Sequence, residues 1–137
     1  MAIEPETKSW TWVLERRCEA CGLDAAHVRD VFRRFATRVD LMVTETDPVF
    51  ENWDQDTTAI ADRYAEQDPA TVLRELRSDA MVLAEAFRSV PDHALERRGR
   101  RSDGSAFTVE TLGQYFIHDP VHHLFDVTGQ RFPADLP

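Results

Sequence analysis

Apolar residues recur at helical spacing through residues 69–90, and this stripe constrains the fold more than any other feature of the chain. Residues three and four positions apart lie on one face of an α-helix, so the stripe predicts an amphipathic helix with one buried side. Asp68 and Pro69 mark its start, because aspartate caps helix N-termini and proline suits the first helical position. The stripe consists of Val72, Leu73, Leu76, Ala80, Leu83, Ala84 and Phe87.

Three further segments show the same period, and none shows the sustained alternation that is typical of a strand. Asp24 and Thr108 are suitable N-caps for the first and the last of these segments. Residues 91–106 predict a polar connection with a turn at 102–104, and residues 1–23 predict a short ordered segment laid over the core. Because 137 residues are typical of one domain, we predict a single all-α, up-down helical bundle over residues 1–137, with helices over residues 24–46, 53–67, 69–90 and 108–126.

The composition excludes several classes of protein. Sixteen basic against twenty-five acidic residues give a net charge of −9, which repels a nucleic-acid backbone. The longest apolar run, residues 80–84, is far shorter than the roughly 20 residues that span a bilayer. Two cysteines do not make a disulfide framework, and the first residues do not resemble a signal peptide, so we expect a cytoplasmic protein.

Arginines are concentrated in the polar connection, at Arg97, Arg98, Arg100 and Arg101. Such a cluster is typical of a solvated loop. The alternative is that it attracts an anionic ligand such as a carboxylate.

Two histidines four residues apart, His118 and His122, lie in the last helical segment. On a helix their Cβ atoms would be about 5–6 Å apart, which allows both imidazoles to bind one divalent metal at about 2.0–2.1 Å. Tyr115 and Phe125 belong to the same stripe, so we expect this face to point inward.

A third histidine, His27, precedes the apolar Val31 by one turn and is also expected to lean toward the core. Three inward histidines would hold a metal ion and leave a position open for water or substrate. Asp30 and Asp126 lie one turn from predicted ligands and could orient their imidazoles, as could His123, which is otherwise a surface residue. The alternative is that these are structural histidines and solvated carboxylates.

Cys18 and Cys21 have the Cys-x-x-Cys spacing of half a zinc site or of a redox pair. No second pair follows, and no βαβ pattern surrounds them, so a thioredoxin-like site is not expected. Two thiols without a chemical role are the simpler alternative, and an accessory metal site is the other.

Several motifs in order along the chain resemble the DinB-like proteins of high-GC bacteria, which include mycothiol-dependent maleylpyruvate isomerases and bacillithiol transferases. The resemblance implies a four-helix bundle with a divalent metal, often zinc or nickel, on three histidines. By position these are His27, His118 and His122. The motifs are Trp10-Thr-Trp-Val-Leu-Glu-Arg, Cys18-Glu-Ala-Cys-Gly, His27-Val-Arg-Asp-Val, Asn52-Trp-Asp-Gln-Asp, Arg101-Ser-Asp-Gly and His118-Asp-Pro-Val-His-His-Leu-Phe-Asp-Val.

The resemblance also implies an activity. The metal would activate a low-molecular-weight thiol, such as a mycothiol-like cosubstrate, and the thiolate would attack an electrophile in a transferase or isomerase reaction. A non-catalytic metal-binding or stress-response module is the alternative, and a decayed remnant of an enzyme is a third reading.

One departure from the resembled pattern bears on assembly. A further amphipathic helix normally separates the Cys-x-x-Cys-Gly motif from the first histidine, whereas here Cys21 is followed closely by His27. A bundle shortened by one helix would expose apolar surface on the others. We therefore expect either residues 1–23 to fold across the gap or a second subunit to fill it, and we favour a homo-oligomer, most simply a dimer.

Overall fold

The computed structural model describes residues 19–129, apart from the side chains of residues 19–23 and 126–128. Three long helices and one short helix account for most of this part of the chain. Among these residues no helix has the length and apolarity needed to cross a bilayer. The elements are α1 (Glu19–Thr44), β1 (Val49–Phe50), α2 (Gln55–Ala61), α3 (Pro69–Arg88), β2 (Arg98–Arg101), β3 (Ala106–Thr108) and α4 (Val109–Thr128), with 3₁₀ turns at Tyr64–Glu66 and Asp92–Ala94.

The starts of α3 and α4 are capped as the sequence predicts. Asp68 accepts a hydrogen bond from the backbone N–H of Thr71, and Thr108 forms a reciprocal capping box with Thr111. Asp24, by contrast, lies inside α1 and is not its N-cap, because the helix already includes Glu19. Its carboxylate is free to face α4 instead.

A three-stranded sheet replaces part of the connection that was predicted to be irregular. β1 runs parallel to β2, and β2 pairs with β3 in an antiparallel hairpin. The predicted turn joins the two strands of the hairpin, with Gly104 at a φ of 91°. Only one residue of β2, Gly99, is buried, so these short strands carry no apolar alternation for sequence reasoning to detect.

Gly99 allows β2 to lie directly on the core. A Cβ atom at this position would come within 2.6 Å of the Phe50 ring and 2.9 Å of the Met42 side chain. The close approach fixes the hairpin against α1 and places Arg101, at the end of β2, beside α4.

The main core lies between α1, α3 and α4, with α1 in contact with both other helices. Its contribution from α4 comes from Val109, Leu112 and Phe116, which are nearly fully buried. The stripe that contains Tyr115 and Phe125 was predicted to point inward and does not: these side chains are 49% and 37% exposed. The main core consists of Val31, Phe35, Val39, Met42, Phe50, Leu83, Val109, Leu112 and Phe116.

Candidate metal centre

His27 is held in a fixed orientation on the inner face of α1. The residue is 8% exposed, and its ring stacks on Trp53 with the centroids 5.7 Å apart and the planes within 7°. Trp53 is itself fixed, because its indole N–H donates to the hydroxyl of Thr58 at 2.8 Å and the guanidinium of Arg34 lies 5.2 Å from its ring. The imidazole therefore presents one edge toward α4.

Asp119 and His123, one turn apart on α4, complete a cluster with His27. The distance from His27 Nε2 to Asp119 Oδ2 is 3.5 Å, and from His123 Nε2 to Asp119 Oδ1 it is 3.6 Å. Each of the three residues offers one ligand atom within 4.8 Å of the others. Two ligands at about 2.1 Å from a tetrahedral ion lie about 3.4 Å apart, so the spacing fits a shared cation.

Two atoms of this cluster are buried without a hydrogen-bond partner among the described residues: His27 Nε2 and Asp119 Oδ2. Buried polar atoms are almost always satisfied, and leaving one unpaired costs about 1–3 kcal/mol. A cation bound by both atoms would remove that cost. The residues present therefore fit a metal ion.

Asp24 orients the third candidate ligand. Its carboxylate lies 3.0 Å from Nδ1 of His123, a contact that places the proton on Nδ1 and leaves Nε2 free to face Asp119. Metal-binding histidines commonly have such a carboxylate on the opposite ring nitrogen.

Two imidazoles and one carboxylate form a three-residue donor set that leaves at least one coordination position open. Such sets bind zinc in hydrolytic enzymes, and they also suit nickel and ferrous iron. The open position would face a cavity that Trp53 and Asp119 help to line.

The charges of Asp119 and His123 stabilise each other. Burial alone would raise the pKa of Asp119, but the interactions of its carboxylate with His123 and His27 outweigh that effect and hold the pKa well below its usual range. The Asp119 carboxylate raises the pKa of His123 against the effect of burial, and the Asp24 carboxylate adds to the increase. In the protonated form of His123, which the raised pKa favours, Nε2 also carries a proton that a metal must displace, so metal binding should release protons and strengthen as the pH rises.

The metal-free protein should therefore lose stability as the pH rises through the raised pKa of His123. The lowered pKa of Asp119 contributes stability above its ordinary value of 3.8, and that of His123 contributes fully below its ordinary value of 6.5. Urea unfolding of metal-free protein at a series of pH values measures the decline above 6.5. His123→Gln should flatten this decline, whereas His93→Gln, at an exposed position, should leave it unchanged. The same slope in wild type and His123→Gln would contradict the assignment.

Comparison with known proteins places the chain in a family. A model of the DinB superfamily matches residues 7–125. The chain belongs to the DinB superfamily. No curated protein matches its sequence.

The fold is similar to a solved structure, YfiT from Bacillus subtilis, described as a probable metal-dependent hydrolase with an unusual four-helix bundle topology. The TM-score is 0.71 at 23% sequence identity, over 79% of this chain and 62% of that one. The chain therefore spans less than two thirds of the length of YfiT. The predicted all-α, DinB-like bundle is confirmed, with the small sheet as an addition.

The ligand set that the DinB resemblance implied is not brought together. His118 and His122 are both exposed, with parallel rings whose centroids are 6.2 Å apart, and neither belongs to the cluster around His27. Asp119 and His123 occupy the inward positions, each one residue further along α4. Sequence reasoning did not name Asp119 as a candidate ligand and gave His123 an orienting role. Asp119 and His123 follow the buried Phe116 by three and seven residues, which places them on the same face of the helix. This spacing could have identified both residues from the sequence.

The carboxylate of Asp30 is bound by residues other than His27. One oxygen accepts a hydrogen bond from the hydroxyl of Tyr64, and the other accepts from Nε of Arg29 at 3.0 Å. Asp30 therefore belongs to a separate network between α1 and α3. The side chain of Asp126 lies outside the described residues.

The four arginines of the cluster make different contacts. Arg97 donates hydrogen bonds to the backbone carbonyls of Met42 and Glu45, at the C-terminal end of α1, where carbonyl groups lack helical partners. Arg98 is exposed on β2. Neither residue lines the cavity beside the candidate metal centre.

The other two members of the cluster form ion pairs. Arg100 pairs with Asp47 at 3.2 Å, and Arg101 pairs with Asp103 at 2.8 Å. Arg101 also donates to the hydroxyl of Tyr115 and lines the cavity. Of the four arginines predicted to attract an anion, Arg101 is thus the one at the candidate site.

The cysteine pair falls outside the region whose side chains are described. Cys18 precedes the first described residue, and Cys21 lies in α1 with its side chain outside that region. The accessory metal or redox role stays a prediction.

Proposed function

We propose that the protein is a metal-dependent enzyme that transfers a low-molecular-weight thiol to an electrophilic substrate, with zinc or nickel at His27, Asp119 and His123. The observation that carries this proposal is the pair of buried, unpartnered ligand atoms, His27 Nε2 and Asp119 Oδ2. They lie 3.5 Å apart, and Asp119 lines a cavity. Membership of the DinB superfamily supports it.

The residues of the chain would bind and orient. Asp24 would hold His123 in the tautomer whose Nε2 is available, and Trp53 would keep the ring of His27 in place by stacking. A divalent cation held there would act as a Lewis acid and lower the pKa of a bound thiol or water molecule. The cavity would hold the electrophile beside the open position, so that the thiolate and the reacting carbon meet in a fixed geometry.

Hydrolysis is a second candidate reaction. Its support is the donor set itself, because two histidines and one carboxylate are also the zinc ligands of metal-dependent hydrolases. The description of YfiT as a probable metal-dependent hydrolase agrees with it.

One assay separates these functions from a non-catalytic module. Zinc- or nickel-loaded protein would be incubated with N-acetylcysteine and 1-chloro-2,4-dinitrobenzene, and separately with p-nitrophenyl acetate without thiol. Formation of the thioether that stops on chelation and in His123→Ala supports thiol transfer, and thiol-independent ester cleavage with the same dependence supports hydrolysis. Tight metal binding without turnover of either substrate class would contradict the enzyme and favour the metal-binding or stress-response module.

A further inference from the structure

A cavity of about 220 Å³ lies against the candidate metal centre. Its walls come from α1, the segment between β1 and α2, the turn of the hairpin, and α4. Pockets for drug-sized ligands measure about 300–1,000 Å³, so this one suits a small molecule or one arm of a larger one. Asp119 and Trp53 lie at the metal-centre side, and Arg38 is another lining residue.

Arg38 is a buried charge that has no counter-ion within residues 24–125. It is 9% exposed, and its guanidinium carbon lies 5.2 Å from the ring of Phe35 and 5.2 Å from that of Phe50. Its Nε is buried and has no hydrogen-bond partner among the described residues. Arginine remains charged in proteins, and a buried charge is normally paired because desolvation is costly.

The groups around Arg38 disfavour its positive charge. Burial, together with the positive charges of Arg34 and Arg101, lowers the pKa of Arg38. Three acidic residues line the cavity: Asp103 pairs with Arg101, Asp119 lies between two histidines, and Glu51 is exposed. Within residues 24–125, no carboxylate forms an ion pair with Arg38.

We propose that Arg38 binds a carboxylate group of the substrate, with the rest of that molecule extending through the cavity toward Asp119. This inference rests on the proposed function, which it extends by naming the substrate class as a small carboxylic acid. The planar guanidinium matches a carboxylate with two parallel hydrogen bonds. A single unpaired cation balances the one charge of a carboxylate, whereas a phosphate dianion would leave an uncompensated charge in the cavity.

Butyrate is the probe, and the protein is used metal-free, so the result does not depend on metal binding or turnover. Butyrate should shift the side-chain Nε–H signal of Arg38 in ¹H–¹⁵N spectra with a dissociation constant of the order of 1 mM, as expected for two parallel charge-assisted hydrogen bonds. Butyramide, the neutral isostere, should bind at least about tenfold more weakly, and so should inorganic phosphate.

Arg38→Met should weaken butyrate binding at least about tenfold, whereas Arg98→Gln, which removes an exposed charge from outside the cavity lining, should not change it. Arg38→Met should also melt no lower than the wild type, because it removes an unpaired buried charge. Should it fail to fold, Arg38→Lys, which keeps the charge but loses the planar fork, should bind butyrate more weakly than wild type.

Equal binding of butyrate and butyramide, or unchanged affinity in the Arg38 variants, would overturn the proposal. Metal-free protein that binds butyrate but shows no turnover when loaded would contradict the proposed function alone.

Discussion

His123→Ala is expected to weaken the binding of zinc or nickel by at least about 100-fold. The substitution removes one of three ligands, and loss of even an outer hydrogen-bond partner of a metal ligand typically costs 10–100-fold in affinity. It also removes Nδ1 of His123, which is the hydrogen-bond partner of the Asp24 carboxylate. Competition against a chromophoric chelator at fixed pH measures the change, and His27→Ala should give a loss of similar size.

The matched control is the double variant His118→Ala/His122→Ala. It removes two exposed imidazoles from the same helix, so any general effect on α4 or on metal contamination would affect both proteins equally. Metal affinity in the double variant should stay within about threefold of the wild type, because neither residue belongs to the cluster around His27. A loss as large as that of His123→Ala would return the ligand role to His118 and His122.

The two sets of variants test which of two pairs of residues on α4 faces the metal centre. The pairs 118/122 and 119/123 have the same four-residue spacing and are rotated by about 100° from each other on α4. Sequence reasoning chose the first pair because both members are histidines and because two aromatic residues share their stripe. The buried side chains of Leu112 and Phe116 decide against it, since their face continues to Asp119 and His123.

The features that the sequence predicts correctly depend on residues that are close together in the chain. The caps at Asp68 and Thr108 depend on residues within one turn of the helix start. The amphipathic period of α3 likewise depends on its own segment, so these elements are found without knowledge of the partners against which they pack.

What could not be predicted depends on contacts between distant parts of the chain. Asp24 meets His123 across 99 positions of sequence, and Trp53 reaches His27 from a different element. The pairing of β1 with β2 likewise joins segments on either side of α3. None of these contacts leaves a periodic trace in the sequence, because each is decided by how the helices pack.

Arg29→Met is expected to lower the free energy of unfolding by about 3 kcal/mol. Arg29 is almost fully buried, with 4% of its side chain exposed, and it bonds Asp30, Gln67 and Glu75 at 3.0, 2.6 and 2.9 Å. Removing one member of a buried ion pair typically costs 3–5 kcal/mol because the other charge is left without compensation. Here Asp30 keeps its hydrogen bond from Tyr64 and the guanidinium of Arg33 at 3.7 Å, so the cost stays at the lower end.

Arg33→Met provides the control, since it removes a guanidinium from the same helix that pairs with Glu75, Asp79 and Asp30 but is 47% exposed. Exposed ion pairs contribute about 0–1 kcal/mol, so urea unfolding should place this variant within about 1 kcal/mol of the wild type. Adding Asp30→Asn to Arg29→Met should recover part of the loss, because the stranded carboxylate charge is then gone. Equal destabilisation by the two arginine variants would mean that packing of the methylene stems, and not burial of the charge, sets the strength of the contact between α1 and α3.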